Sequence, residues 1–340
     1  MNSFNTKPTA GWQKALTQAI TDPKELLELL ELDPHLLNEA YLAAKSFPLK
    51  VPRGFVARMQ KNNLFDPLLQ QILPIGAELD EVTGFSRDPL QEKNVNPLSG
   101  LLHKYHGRVL LTLTGACGIH CRYCFRRDFP YEKNNPGTAG WNQALDYIAK
   151  DQTITEVILS GGDPLVVSDT ALNNFTQQLA VIPHLKRLRL HSRMPIVVPE
   201  RITPEFIHSI TPPALKTILV VHCNHPQEIN EDVIQAMHLL TGSGIVLFNQ
   251  TVLLKGINDN VETLIALSET LFAGGIQPYY LHVLDKIQGA AHFDLSRARA
   301  LQLHQGMKER LSGYLVPQLV CEQPGAPSKI SLENREFYTG

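Results

Sequence analysis

Three cysteines stand in one short run, Cys117-Gly-Ile-His-Cys121-Arg-Tyr-Cys124, with the spacing C-x3-C-x2-C. Thiolates are soft ligands that suit iron–sulfur clusters and zinc. A structural zinc would complete its shell with His120, His103 or His106, but such sites usually pair two ligand motifs, and the sequence has no second pair. A ferredoxin-type cluster would call for a fourth cysteine at short spacing, which is also absent. Three thiolates can hold a [4Fe–4S] cluster and leave one iron without a protein ligand. An open coordination position of that kind is what a catalytic metal centre uses. The other two cysteines, Cys223 and Cys321, stand alone and read as small buried residues.

The elements that must position this triplet follow from periodicity. Short β-branched or leucine-rich runs recur at Val109–Thr114, Val157–Ser160, Arg187–His191, Ile218–Val221, Val246–Val252 and Tyr279–Leu284. Helical spacing fills the intervals at Trp141–Ala149, Thr170–Val181, Glu231–Leu240, Val261–Ala273 and Ser296–Leu311. Strands alternating with helices predict βαβ units and a parallel sheet. Six units are too few for a closed eight-fold barrel, so the expected fold is α/β, a partial (β/α)6 barrel. In such folds functional groups sit on loops after the strands. The cysteine run, Gly161-Gly162-Asp163, Ser192-Arg193, His222-Cys223-Asn224-His225, Asn249-Gln250 and Asp285 all fall at or near those positions.

Before the barrel, Lys24–Leu32, Leu36–Ser46 and Asp66–Leu73 predict short helices, and Arg87–Gly100 reads as a connector. The expected organisation is a helical N-terminal extension over 1–105, the barrel over 106–314 and a C-terminal segment over 315–340. The whole chain has 340 residues, 43% hydrophobic and 19% charged, with a net charge of -2. That composition excludes disordered and fibrous classes. The near-neutral balance argues against a nucleic-acid partner. No stretch approaches the ~18 apolar residues of a membrane span, and the first residues carry no secretory signal pattern. The expectation is a cytoplasmic chain, in a compartment where clustered cysteines bind metal more often than they form disulfides.

A C-x3-C-x2-C loop after the first strand of a partial barrel resembles the radical S-adenosylmethionine (SAM) superfamily. That resemblance implies that Cys117, Cys121 and Cys124 ligate the cluster and that SAM chelates the open iron. Reduction of the sulfonium then yields a 5′-deoxyadenosyl radical. Gly161-Gly162-Asp163 is similar to the superfamily's glycine-rich element at the SAM amino group. Ser192, His222 and Gln250, on the neighbouring loops, are implied SAM contacts.

Further motifs narrow the resemblance. Cys121–Arg127, Leu159–Leu165, His222–Pro226, Asn249–Leu254 and Pro278–Tyr280 together resemble the lysine 2,3-aminomutase family, from about residue 90 onward. The resemblance implies a second cofactor, pyridoxal 5′-phosphate (PLP), held as a Schiff base on Lys329 in Pro324-Gly-Ala-Pro-Ser-Lys329. By itself Lys329 reads as a solvated surface lysine. Arg108 matches an arginine that pairs with the PLP phosphate. Arg126 matches the arginine that takes the substrate carboxylate, a task suited to the guanidinium fork. Asp285 matches an aspartate at the substrate's ε-ammonium, and Glu322 stands where the family has a second aspartate. The implied reaction moves the α-amino group of L-lysine to Cβ, giving β-lysine.

The chain stops eleven residues after Lys329. In that it resembles the shorter bacterial branch whose β-lysine, taken as the R isomer, is ligated to translation elongation factor P by a synthetase-like partner. A flavodoxin-type electron donor is the expected reductant. The competing expectations are an aminomutase for another amino acid, a radical SAM enzyme without PLP, and a zinc-stabilised binding module.

Overall fold

The computed structural model describes residues 11–131 and 137–334. Nine strands form one sheet in sequence order. They are β1 (Leu101–Tyr105), β2 (Arg108–Thr114), β3 (Glu156–Gly161), β4 (Arg187–Ser192), β5 (Lys216–His222), β6 (Val246–Val252), β7 (Gln277–His282), β8 (Gln318–Cys321) and β9 (Ile330–Ser331). From β2 to β8 every pairing is parallel, while β1 and β9 add antiparallel edges at the two ends. The six strands expected from sequence are β2 to β7. Six βα crossovers carry the chain from β2 to β8, and the sheet is an open, partial barrel.

Four short helices precede the sheet: α1 (Gly11–Thr17), α2 (Pro23–Leu29), α3 (Leu37–Ser46) and α4 (Arg53–Val56). The crossovers hold α5 (Gly137–Lys150), α6 (Asp169–Ala180), α7 (Met194–Val197), α8 (Pro204–Ile210), α9 (Glu231–Gly242), α10 (Val261–Ala273) and α11 (Arg297–Arg310). Several helices start where a short polar side chain can accept a free backbone N–H. Ser168 caps α6, Thr203 caps α8, Asn230 caps α9, Asn260 caps α10 and Ser296 caps α11.

The strands are not uniformly apolar. In β4 burial alternates, with Leu188, Leu190 and Ser192 buried and Arg187, Arg189 and His191 less so. In β6, Leu247, Asn249 and Thr251 are buried and alternate with Phe248, Gln250 and Val252. A strand places successive side chains on opposite faces. One face packs under the helices; the other lines a polar lumen where Arg108, Glu156, Arg189, His191, His222, Gln250 and His282 meet.

Two local expectations differ from the structure. Asp66–Leu73 forms only a 3-10 turn at Leu69–Gln71. The buried Asp66 carboxylate accepts the N–H groups of Leu68, Leu69 and Gln60, which fixes a tight turn in place of a helix. The connector before β1 contains a 3-10 turn at Glu92–Val95, and Glu92 reaches into the lumen.

Arg201 ties the N-terminal region to the barrel. It is fully buried between the rings of Trp12 and Phe206, at 4.4 and 4.2 Å. Its Nε donates to the Leu165 carbonyl at 2.6 Å, and its Nη2 donates to the Val167 carbonyl at 3.2 Å and pairs with Asp169 at 2.6 Å. Removing one member of such a buried set leaves the others unpaired, at a cost of roughly 3–5 kcal/mol. Arg201→Leu is therefore expected to lower the unfolding free energy by about 3 kcal/mol or more, read from urea denaturation.

Candidate active site

The loop Gly115–Phe129 after β2 carries the cysteine run. The N-terminal region grips it through main-chain contacts. His120 N–H donates to the Lys50 carbonyl and Arg122 N–H to the Gln71 carbonyl, each at 3.0 Å. Lys50 Nζ donates to the Cys117 carbonyl at 2.7 Å, and His120 Nδ1 lies 2.7 Å from the Pro48 carbonyl. Cys117, Cys121 and Cys124 form no disulfide and line one wall of a cavity of about 820 Å³. Among the described residues no three Cys, His, Asp or Glu side chains converge on a single-ion site. Burial raises the Cys117 thiol well above its usual range, and Cys124, Asp163 and Cys121 raise it further by repulsion. Burial pushes Cys124 up to about 11. Thiols crowded on one cavity wall, with Cys117 and Cys124 held protonated, suit a cationic occupant such as a cluster, whose charge favours the thiolates.

Arg193, on the loop after β4, reaches the same thiols. Its Nη1 lies 2.8 Å from Cys121 Sγ. Its Nη2 bonds Gln71 Oε1 at 2.7 Å and Glu228 Oε2 at 2.9 Å. Glu228 itself accepts the N–H groups of Asn224 and His225. This buried set joins the cysteine loop to the loops after β4 and β5.

The glycine pair sits where expected. Gly161 has φ +115°, a conformation that glycine adopts without a Cβ clash. A Cβ on Gly162 would stand 2.3 Å from the Ala116 carbonyl oxygen, so only glycine lets this loop touch the start of the cysteine loop. Asp163 is buried, and its lone pairs go to the protein. Oδ1 accepts Ser192 Oγ–H at 2.7 Å and Leu165 N–H at 3.0 Å; Oδ2 accepts Arg193 N–H at 2.9 Å and Met194 N–H at 3.2 Å. Asp163 and Ser192 thus lock two loops together at the cavity wall.

His222 and Gln250 pair across β5 and β6, Nε2 to Nε2, at 2.9 Å. Burial, with help from Arg193 and Arg126, pushes His222 down to about 3, so its imidazole is neutral. His191, half-buried, and His282, buried, face the same lumen, each with Nε2 unpartnered, and loss of solvent around the rings lowers both well below the usual histidine range. These unpaired donors or acceptors suit the edges of a heterocyclic ring.

Arg126 is buried. Its Nε and Nη2 each contact a Glu92 oxygen at 2.7 Å, and Nη1 lies 3.2 Å from Ser160 Oγ. An arriving carboxylate meets a guanidinium already oriented by Glu92. Arg108 stacks over the Tyr105 ring at 4.7 Å and forms no ion pair among the described residues. Arg189 pairs with Glu156 at 2.5 Å but leaves its buried Nε without a partner. The two guanidiniums fit a phosphate. Lys329 lines the cavity, with Nζ 5.6 Å from the Tyr280 ring centre and bonded to Glu322. That placement opposes the surface reading that Lys329 has on its own. Asp285 also faces the cavity, and its carboxylate has no hydrogen-bond or ion-pair partner among the described residues. Burial, with Glu322 adding to it, pushes Asp285 up to about 7 against the pull of Lys329.

One cavity therefore brings together every residue to which the family resemblance assigns a role, while Cys223, His225 and Asn249 on the same loops do not line it. Sequence reading missed Glu92, Lys104, Arg189, His191, His282 and the role of Arg193. Charges at alternate positions of Arg187-Leu-Arg-Leu-His191 were the available signal for the β4 pair, because a buried parallel strand rarely carries them.

The chain is similar to known proteins along most of its length. Residues 106–191 match the model of a 4Fe-4S single cluster domain. The chain is 47% identical to the L-lysine 2,3-aminomutase of Escherichia coli (strain K12), over 97% of both chains. It is 46% identical to the enzyme of the same name from Haemophilus influenzae, over 94% of both. A radical SAM methyltransferase structure from Sphaerobacter thermophilus is 16% identical with a TM-score of 0.47, covering 66% of this chain and 69% of that one.

Gly162→Ala should separate the two loops that meet at Ala116. After anaerobic reconstitution, iron and sulfide analysis is expected to give well under one [4Fe–4S] cluster per chain, with the far-ultraviolet circular dichroism of the native fold retained.

Proposed function

The chain belongs to the L-lysine 2,3-aminomutase family and is an isomerase; within that family we propose that its cavity converts L-lysine to (R)-β-lysine with a [4Fe–4S] cluster, SAM and PLP. One observation carries the reading: the cysteine triplet, Lys329, Arg126 and the unpaired Asp285 line a single cavity. When bound, the cluster with SAM would supply a hydrogen-abstracting 5′-deoxyadenosyl radical, and PLP a π system through which an amino nitrogen can migrate.

The chain's own groups set the geometry. Cys117, Cys121 and Cys124 hold the cluster, with Arg193 donating toward Cys121. Gly161 and Gly162 let the backbone approach SAM, while Asp163 and Ser192 stiffen that loop. Neutral His222, oriented by Gln250, offers a ring nitrogen without placing a charge beside a radical. Lys329 holds PLP, and Arg108 with Arg189 takes its phosphate. Arg126 receives the substrate carboxylate in an orientation set by Glu92. Asp285 takes the ε-ammonium at the far end. A half-buried carboxylate without an ion-pair partner is what favours a cationic side chain over an acidic one. Fixing both ends of the substrate confines the reactive carbon, which limits side reactions.

The sequence resemblance alone supports the wider setting. There the β-lysine passes to the ligase that modifies elongation factor P, and a flavodoxin-type donor reduces the cluster in the cytoplasm. Among the described residues no helix is long and apolar enough to cross a membrane.

The reading is tested by anaerobic incubation with L-lysine, SAM, PLP and a reductant, followed by chiral product analysis. (R)-β-lysine is expected; turnover of a different amino acid with no β-lysine would refute it. Asp285→Asn should raise the lysine KM about 30-fold or more, the loss of one buried charge partner of roughly 2 kcal/mol or above. Asp285 is protonated below about 7 and ionised above it. The wild-type lysine KM should therefore fall as pH rises through about 7, and Asp285→Asn should lose that dependence.

A further inference from the structure

β1 and the β8–β9 pair are the opposite ends of the sheet order. Lys104 lies on β1, Glu322 directly follows β8, and Lys329 directly precedes β9. The three side chains meet inside the cavity. Glu322 Oε2 accepts from Lys104 Nζ at 3.1 Å, and Oε1 accepts from Lys329 Nζ. Each carboxylate oxygen is thus held by a cation of the chain, across the gap that the open sheet leaves. All three side chains are largely buried, with 13%, 15% and 22% of Lys104, Glu322 and Lys329 exposed.

We propose that Glu322 is the counter-ion of Lys104 and Lys329, clasping the two free edges of the barrel and positioning the Lys329 amine, and that Asp285 alone receives the distal ammonium of the substrate. The inference rests on the reading above, in which Lys329 carries PLP and lysine is the substrate.

Two carboxylates share this end of the lumen, and their surroundings separate them. Burial works to raise Glu322, but Lys329 and Lys104 outweigh it and hold the group at about 2. Glu322 is therefore ionised and already satisfied before any substrate arrives. Once Lys329 carries PLP, a new ammonium still has to compete with the tethered Lys104. Asp285 is in the opposite state, half-buried at the cavity wall, and its carboxylate has no hydrogen-bond or ion-pair partner among the described residues. It gains most from an incoming cation. The glutamate side chain matters here, because its extra methylene lets one carboxylate span both lysines from the end of β8. Glu322 acts through Lys329, so it is a positioning residue.

The test separates cofactor attachment from substrate binding. Cofactor-free protein is mixed with PLP, and the visible absorbance of the lysine-bound cofactor is followed with time. The lysine KM is then measured on the loaded enzyme. Glu322→Gln is expected to slow attachment at least tenfold and to change the lysine KM less than threefold. Asp285→Asn is expected to show the reverse. A Glu322→Gln enzyme that attaches PLP at the wild-type rate, or loses lysine affinity as Asp285→Asn does, overturns the inference. If Glu322→Gln does not fold, Glu322→Asp serves in its place. It keeps the charge but shortens the reach, so slowed attachment with unchanged KM is again expected, and the opposite pattern again overturns the inference. Wild-type protein that never attaches PLP at Lys329 would instead overturn the functional reading beneath it.

Discussion

Charge buried in a low-dielectric interior must be paired, and the lumen of this barrel is built around that constraint. Most ionised groups in it have a partner from another element. Arg126 meets Glu92, Arg189 meets Glu156, Arg193 meets Glu228, and Glu322 meets both Lys104 and Lys329. Asp285 and Arg108 depart from the rule, since neither forms an ion pair among the described residues. Those exceptions coincide with the positions where a substrate ammonium and a cofactor phosphate are proposed to sit. Three of the paired groups, Arg126, Arg189 and Lys329, are proposed to meet a ligand as well. Pairing thus marks the groups that are oriented in advance, and its absence at Asp285 and Arg108 marks where a ligand charge has no protein competitor.

The same pairs also join distant parts of the chain. Glu92 and Gln71 come from the region before the barrel, and each is held by an arginine that follows a barrel strand. Arg201 does the same under the glycine loop, between Trp12 and Phe206. The N-terminal region is therefore more than a cap. It supplies main-chain acceptors to the cysteine loop and side chains to the cavity. Polar networks of this kind fix one arrangement when every member is satisfied, as Asp163 illustrates with four donors on one carboxylate.

Much of this was legible in the linear sequence. Runs of β-branched and leucine residues at regular spacing located β2 to β7, and helical periodicity located α5, α6 and α9 to α11, because both patterns are local; the short α7 and α8 carry too few turns to register. The cysteine spacing and the glycine pair were equally local signals, since each depends on one loop. Lys329, Arg126 and Asp285 were found only through resemblance to a family. Nothing in their immediate neighbours distinguishes them from solvated charges. The short strands β1, β8 and β9 passed unseen because five, four and two residues carry too little periodicity to register, and β1 lies inside the region 1–105 that reads as helical.

The sequence by itself determined the α/β class, six of the seven parallel strands and the thiolate chemistry of the first loop. Those properties follow from residue type and from spacing over a few positions. Only the tertiary structure decided which charges face one another. Glu92 lies in a segment that reads as a connector, and Lys104 sits in an edge strand 218 residues from Glu322. A pair so far apart in the chain leaves no periodic trace. It exists because closing most of a barrel brings the two ends of the sheet within reach of one carboxylate.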